Sequence, residues 1–525
     1  ASANDPRYKD QWHYDNTGQS GGTTRADIRL AAARFLNSGD QRVVVAVIDG
    51  GIDTKHEDLQ QALWVNQAEK DGEFGVDDDG NGYVDDVYGY DFSADAGRVY
   101  SDKHGTHVAG TIGAVTNNGV GVAGIAGGDG EQLGVRLMSC AVFGRSGQGG
   151  FPAAFVYAAD NGAVIAQNSW GGGGESQVLE DAIRYFNERA GYDNSEEKFD
   201  QNIQIGPMAG GLVMFAAGNN KTNRAKAAYP ASLESVMAVA SLDHNDVKSD
   251  FSNYGEWVDI AAPGSEILST FPGNSYGYLS GTSMACPHVS GVAALVISRF
   301  QRQGFSAHHL RRILLNQADD VDEINPSHEG ELGVGRINAY QVLSVDTEQS
   351  PSVITDLSVT ETTFHSATLS GTATGADGMK GAAAYYEIYF SESKIDREKI
   401  SKASRVLSKL PVAAGTTDSV VINGLKYATS YYFSLRAVDL LGNSSPWSNI
   451  VQATTDEPPR IQLRPEVIAA TVESGQLRVD TITIDNKLGK SPLTFQLSLD
   501  SVAASEEWFQ LTVDSGTVAV GAIQE

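Results

Sequence analysis

The stretch Leu279-Ser280-Gly281-Thr282-Ser283-Met284-Ala285-Cys286-Pro287-His288-Val289-Ser290-Gly291 decides how the first two-thirds of the chain is read. It sets a serine between a small-residue turn and a long apolar run, Val289 to Phe300. Ser283 is suited to cap a helix there, and Pro287 is expected in its first turn, where a missing N–H costs little. The run beyond is apolar on nearly every face, which marks a helix buried through the middle of a domain. A serine at its start is held rigidly near the positive end of the macrodipole. Taken alone, the stretch also fits a buried helix with an ordinary serine cap.

Working outward, two earlier stretches supply partners. Val43-Val44-Val45-Ala46-Val47-Ile48-Asp49-Gly50-Gly51 reads as a buried strand ending in a carboxylate, and His104-Gly105-Thr106-His107-Val108-Ala109-Gly110-Thr111 opens a second small-residue helix. Between residues 28 and 345, apolar strand-like segments alternate with helical ones, as in 43–48, 135–143, 164–168, 212–217 and 235–240. That alternation implies an α/β fold, a doubly wound and mostly parallel sheet with helices on both faces. Glycine clusters at 144–150 and 171–174 place loops at the carboxyl ends of strands, where such folds put their sites. The polar stretch from Asp181 to Met208 reads as a surface excursion, a lid over one end of a cleft.

On these motifs the sequence resembles the subtilisin-like serine proteases (subtilases) from about Asp5 to Leu343. The wording is nearest the thermitase-type branch of secreted, calcium-stabilised enzymes. The resemblance implies serine endopeptidase activity on protein or peptide substrates. Ser283 is a weak nucleophile until a base takes its proton. His104 is the base by motif position, and Asp49 holds its tautomer and stabilises the imidazolium. His107 and His288 read as structural. His104 and His107 are also a conceivable metal pair, but further ligands are not evident. Phe215-Ala216-Ala217-Gly218-Asn219 ends a buried strand as the family's oxyanion asparagine does, so Asn219 is expected to donate beside the Ser283 backbone N–H.

The same resemblance assigns the edges that pair with a substrate strand to Gly147-Gln148-Gly149 and Ser169-Trp170-Gly171. Ala228, just before Tyr229-Pro230, matches the base of the main specificity pocket, and a small residue there suits large uncharged side chains. Asp77-x-Asp79-x-Asn81-Gly82-Tyr83-x-Asp85 spaces oxygen ligands as a calcium loop does, with Tyr83 offering its carbonyl. Its twelfth position is Tyr88, so Asp86 or another loop must replace the usual glutamate; an acidic solvated turn would use the same residues. A second calcium site rests on resemblance alone. There Asp5, Asp58 and Asn118 give side-chain oxygens, and Val115, Val120 and Val122 give carbonyls.

Bulk properties agree with these readings. With 525 residues, two or three domains are expected. A formal charge of −28 excludes nucleic acid and anionic membranes as partners. No apolar run is long enough to span a bilayer, and no signal peptide is visible at Ala1. Subtilases are generally made with a signal and an inhibitory pro-segment, so a mature, secreted and monomeric form is expected. Cys140 and Cys286 are the only cysteines and read as buried free thiols.

Near Thr347–Pro351 the composition turns to β-branched residues, Ser, Thr and Gly. Residues 1–347 are therefore read as the peptidase domain. Residues 351–456 resemble a fibronectin type III β-sandwich on Tyr386-Glu387-Ile388-Tyr389-Phe390-Ser391, Leu425, Tyr431 and Leu441-Gly442-Asn443-Ser444. Residues 457–525 resemble part of an immunoglobulin-like module, with strand-like alternation from Val479 to Ile484, and the natural chain is expected to continue past Glu525. Two rival functions remain open at this stage. One is a silent homologue that binds peptides; the other is adhesion by the sandwich modules, for which Trp447 and Trp508 would be the contacts.

Overall fold

The computed structural model describes residues 3–144, 147–345, 349–408, 411–466, 478–496, 515–519 and 522–524. The chain divides into two compact units, residues 1–346 and 347–525. The first is built on seven strands: β1 (Val44–Asp49), β2 (Gly89–Asp91), β3 (Arg136–Ala141), β4 (Ala163–Asn168), β5 (Leu212–Ala216), β6 (Met237–Leu242) and β7 (Ile260–Pro263). They lie in the order β2-β3-β1-β4-β5-β6-β7, and every neighbouring pair is parallel. β1, β4, β5 and β6 are buried along their whole length. A strand covered on both faces must read as a continuous apolar run, which is why these segments show no alternation.

Four helices frame the site: α1 (Lys103–Gly113), α2 (Phe151–Asp160), α3 (Gln177–Arg189) and α4 (Thr282–Phe300). α2 and α3 pack on each other and share one core with Ala46, Ile48, Met138, Cys140, Val213 and Phe215 of the sheet. α1 and α4 pack together, with α1 against β1 and α4 against β4 to β7. An antiparallel hairpin, β8 (Ile267–Phe271) and β9 (Ser275–Leu279), leads into α4. The N-terminal arm is pinned by Trp12 and Tyr14, both buried; Trp12 donates its indole N–H to the Glu266 carbonyl at 3.2 Å and Tyr14 its hydroxyl to Thr111 at 3.0 Å.

Two local expectations need correcting. α4 starts at Thr282 with Gly281 as its N-cap and no side-chain cap, so Ser283 is the second helical residue and Pro287 lies inside the helix. The stretch from Asp181 to Met208 is not all surface excursion, because α3 takes its first part. Ser176 caps that helix, and Leu179, Ala182, Ile183 and Phe186 recur at helical spacing on its buried face.

The second unit begins with two antiparallel sheets. Strands β10 (Ser358–Thr362), β11 (Ser366–Thr372) and β14 (Thr417–Asn423) form one in the order β10-β11-β14. Strands β12 (Tyr385–Ser391), β13 (Ser404–Leu407), β15 (Ser430–Val438) and β16 (Val451–Thr454) form the other in the order β13-β12-β15-β16. Leu369 and Ile422 from the first share a core with Tyr386, Ile388, Phe433 and Leu435 from the second. Beyond residue 456 lie a three-stranded sheet (Gln462–Arg464, Thr483–Asp485, Ile523–Gln524) and a strand pair (Leu493–Gln496, Ser515–Val518). The alternation read from Val479 to Ile484 yields a strand only at Thr483–Asp485. Trp508 lies outside the described residues. Cys140 and Cys286 are free and buried, and among the described residues no helix is long and apolar enough to cross a membrane.

Candidate active site

β1 delivers Asp49 to its carboxyl end, and α1 begins by presenting His104. The imidazole Nδ1 lies 2.8 and 3.0 Å from the two Asp49 carboxylate oxygens, so Nδ1–H donates and Nε2 is left as the basic nitrogen. The Asp49 side chain is 4% exposed and that of His104 38%. Burial pulls the His104 pKa down, but the Asp49 charge and hydrogen bond, joined by the Asp102 charge, leave it above its ordinary value.

β4 runs beside β1 with Ile48 opposite Asn168. Asp49 and Ser169 therefore leave adjacent strands side by side, about 5 Å apart. Ser169 in turn holds Ser283: the two exchange hydrogen bonds, Ser169 Oγ–H to the Ser283 carbonyl at 2.7 Å and Ser283 Oγ–H to the Ser169 carbonyl at 3.0 Å. The position of Pro287 explains the first of these. In an α-helix the N–H of residue 287 would bond to the carbonyl of residue 283, and proline has none to give. Ser169 supplies the missing donor. It is oriented by a buried chain, Ser290 Oγ–H to Gln167 Oε1 at 2.5 Å and Gln167 Nε2–H to Ser169 Oγ at 2.7 Å. Sequence reasoning missed Gln167 and Ser290; a glutamine inside an otherwise apolar strand was the available signal.

β5 ends in Ala217-Gly218-Asn219. Gly218 has a φ of 99°, and an added Cβ would lie 2.5 Å from Asn253 Nδ2, so only glycine makes this turn. The Asn219 Oδ1 accepts both the N–H and the hydroxyl of Thr282, each at 2.9 Å. With its oxygen engaged, the asparagine turns its NH₂ the other way. A Cβ placed on Gly281 would lie 3.6 Å from Asn219 Nδ2 and 3.6 Å from the Ser283 N. The two N–H donors thus flank one small space beside the serine. Thr282, fully buried, also accepts the Gly218 N–H at 3.0 Å. It was passed over in the sequence because the middle residue of Gly-Thr-Ser carries no chemistry of its own.

The other expected residues fall around this centre. Trp170 donates its indole N–H to the Ile48 carbonyl at 2.9 Å and packs on Phe151 and Phe215. Gly171 follows it at the end of β4. Gly147-Gln148 pairs with Phe143-Gly144 in a short ribbon, and a Cβ on Gly147 or Gly149 would meet nothing within 4 Å. Ala228 is buried at the end of a short turn, Ala225–Ala228. His107 donates Nε2–H to the Ile267 carbonyl at 2.8 Å, and burial pushes its pKa down to about 3. His288 bonds the Met284 carbonyl through Nδ1 and His13 through Nε2, both at 2.8 Å. Burial raises the Cys286 thiol pKa, so it is a protonated core residue rather than a nucleophile.

Two acidic groupings lie apart from this centre. Around the N-terminal arm, Asp5 accepts the N–H groups of Asn117 and Asn118 at 3.0 and 3.2 Å, and the buried Asp58 accepts from Asn118 Nδ2 at 2.7 Å and Val122 N at 2.9 Å. Among the described residues no hydrogen bond reaches the carbonyls of Val115, Val120 or Val122. Asn118, expected to present its oxygen, turns its nitrogen to Asp58, because the Val120 N–H occupies Oδ1 at 2.8 Å. In the 77–86 loop, carboxylate oxygens of Asp77, Asp79 and Glu69 lie within 4.8 Å of one another. Asp85 is turned away, with both oxygens on the Gly75 N–H at 3.0 Å. Asp86 is a buried anchor for the Tyr157 hydroxyl (2.6 Å) and the Asn66 and Asn81 amides (2.9 and 3.1 Å). Glu69, from a short helix upstream, accepts the Asp78 N–H at 2.5 Å and the Asp85 N–H at 2.8 Å. Asn81 and Tyr83 remain in the loop, with the Tyr83 N–H on Asn81 Oδ1 at 2.8 Å.

A serine at a helix start, a histidine with Nδ1 on a carboxylate and two converging amide donors make up the class of site that serine hydrolases use. Residues 40–335 match the subtilase family, and the chain belongs to that family. It is 34% identical to a thermophilic serine proteinase of a Bacillus species over 59% of this chain and 63% of that one. It is 35% identical to thermitase of Thermoactinomyces vulgaris over 57% of this chain and 88% of that one. It is 34% identical to an extracellular basic protease of Dichelobacter nodosus over 57% of this chain and 48% of that one. The match thus spans between about half and nine-tenths of the length of these relatives.

Proposed function

We propose that the chain is a secreted serine endopeptidase that cleaves proteins through an acyl-enzyme on Ser283. The observation that carries this reading is the convergence at Gly281. The Ser283 N–H and the Asn219 NH₂ flank one space beside the nucleophile, while Asp49 fixes the tautomer of His104. In the first step the Ser283 hydroxyl rotates off the Ser169 carbonyl toward His104 Nε2. His104 takes its proton as Oγ attacks the substrate carbonyl, and Asp49 stabilises the imidazolium. The oxyanion forms against the two N–H donors, which are held in place before the reaction and cost no reorganisation during it. His104 then returns the proton to the leaving amine, and water repeats the cycle to release the acyl group.

The peptide is held as a strand between Gly147-Gln148-Gly149 and Ser169-Trp170-Gly171, where glycines permit close backbone approach. Ala228 leaves room for a large uncharged side chain before the cleaved bond. Several relatives are extracellular proteases, which supports secretion. Residues 351–456 are read as a fibronectin type III-like spacer and 457–525 as part of a further sandwich. The two facing sheets, and the Lys426 N–H on the Tyr431 hydroxyl at 3.1 Å, support the former. Trp447 takes the Arg436 guanidinium over its ring at 4.8 Å and the edge of Tyr389. That engagement favours a spacer over an adhesive face.

The donor sets suit calcium, a hard cation with oxygen ligands. Asp5 and Asp58 with the free carbonyls of Val115, Val120 and Val122 would hold one ion, and Asp77, Asp79 and Glu69 a second. A bound ion would neutralise these carboxylates and tie the arm and the loop to the body.

The test is labelling with a fluorophosphonate followed by peptide mapping. A single adduct on Ser283, lost with casein cleavage in Ser283→Ala, is the expected result. No adduct in folded, calcium-loaded protein would overturn the reading.

A further inference from the structure

Asp102 sits two residues before His104 and was not among the residues that the sequence motifs singled out. It is the N-cap of α1, and its Oδ2 accepts the His104 N–H at 2.6 Å and the Gly105 N–H at 2.9 Å. Its other neighbour is Gly50, the residue after Asp49. A Cβ on Gly50 would come within 2.5 Å of the Asp102 carboxyl carbon, so this carboxyl group fills the space that glycine leaves. One carboxylate oxygen from Asp49, one from Asp102 and a ring nitrogen of His104 all lie within 4.8 Å of one another. The base therefore faces two carboxylates: Asp49 on its ring nitrogen, and Asp102 gripping its backbone from the far side of Gly50.

We propose that Asp102 is a positioning residue that clamps the first turn of α1 against the Asp49 segment and, through its charge, sets the pH at which the enzyme becomes active. The inference rests on the endopeptidase reading. A cap alone could have been serine or asparagine; an aspartate adds a full negative charge beside a histidine that must be neutral to act as a base. The sign follows directly. A nearby anion stabilises the imidazolium, so more alkaline conditions are needed to free Nε2, and removing the anion moves activity toward acid pH. The raised pKa of His104, to which the Asp102 charge contributes alongside Asp49, agrees with this direction. The other charged and titratable groups near the imidazole offer no substitute. Asp53 is spent on the Lys55 and Gly273 N–H groups. Lys103 lies over the Phe271 ring at 4.4 Å. His107 and His288 are buried with pKa values pushed down to about 3 and about 4, and β8 brings no charge.

Asp102→Asn separates the two parts of the proposal, because asparagine keeps an oxygen for the cap and loses only the charge. His104 is followed by NMR titration of its ring nitrogens, and in parallel the acid limb of kcat/KM is recorded on a neutral peptide. Both midpoints are expected to fall by about half a pH unit in the variant, the size of a single charge at ~5 Å in a near-aqueous dielectric. The difference should shrink in 1 M salt. Asp102→Ala, which also loses the cap, should show the same shift together with a Tm lower by a few degrees. Midpoints that coincide with wild type, with only Tm or the plateau rate reduced, would make Asp102 an ordinary helix cap and overturn the proposal. If Ser283 proved unreactive, the endopeptidase reading would fail, but the NMR titration would still decide the effect of Asp102 on His104.

Discussion

The junction between β1 and α1 and the 77–86 loop are both rich in carboxylates, but only the junction sets one against a side chain that can carry positive charge. At the junction, Asp49 is paired with an imidazole and Asp102 with the first N–H groups of a helix, so each charge has a partner supplied by the fold. In the loop, Asp77, Asp79 and Asp85 accept mainly backbone N–H groups and one another's amide neighbours. Among the described residues, no ion pair joins Glu69, Asp77, Asp79, Asp85 or Asp86 to a basic side chain. A junction whose charges are answered internally serves chemistry, because its donors are in place before substrate arrives. A loop whose carboxylates face no cationic side chain suits stability, because an ion bound there would favour the folded state.

This contrast predicts that rate and stability separate between the two regions. Asn219→Ala removes one of the two donors at Gly281 and should lower kcat by about 10²–10³-fold with KM little changed. Its Tm should fall by a few degrees at most, the cost of the two bonds its oxygen accepts from the buried Thr282. Steady-state kinetics beside calorimetry make the comparison. A loss shared equally between KM and Tm would mean that the asparagine supports the turn rather than the transition state.

Chelation tests the other half. Excess EDTA should lower Tm by about 5–10 °C, the effect of removing a ligand present at a hundred or more times its Kd, while the fluorophosphonate reaction at room temperature persists. Asp58→Asn should remove most of that dependence and Asp79→Asn a smaller part, because Asp58 is fully buried and Asp79 lies in an exposed loop. An unchanged melting temperature in EDTA would sink both sites and with them the contrast.

The same division governs what the sequence discloses. Asp49, His104, Ser283 and Asn219 could be named because their chemistry demands particular residue types in particular company, and the buried parallel strands because burial on both faces leaves an unbroken apolar run. Thr282, Gln167 and Asp102 escaped notice because each is set by a neighbour distant in the chain: Asn219, Ser290 and Gly50. Asp85 was misplaced for a related reason. A regular spacing of oxygens says which residues are near a cation but not which way each carboxylate turns, and Gly75 claimed this one. α3 was legible in the helical recurrence of Leu179, Ala182, Ile183 and Phe186, but the charged residues between them masked it. Pro287 could have been placed by counting from a glycine N-cap instead of from Ser283.

That proline carries the finest test of the junction's self-sufficiency. The carbonyl of Ser283 is deprived of its helical donor by Pro287 and receives one from Ser169 across the sheet. Ser169→Ala should therefore leave that carbonyl and the Gln167 amide without partners, at a cost of about 1–3 kcal/mol. Calorimetry should register this as a Tm lower by a few degrees. Pro287→Ala in the same background restores an N–H at the position where an α-helix would supply it, and should recover part of the loss; alone, it should change Tm little. If the double variant were no more stable than Ser169→Ala, the bond would be a by-product of packing. Recovery of Tm without recovery of kcat would be more informative still. It would mean that Ser169 orients the nucleophile from outside the helix in a way that the helix's own hydrogen bonds do not reproduce.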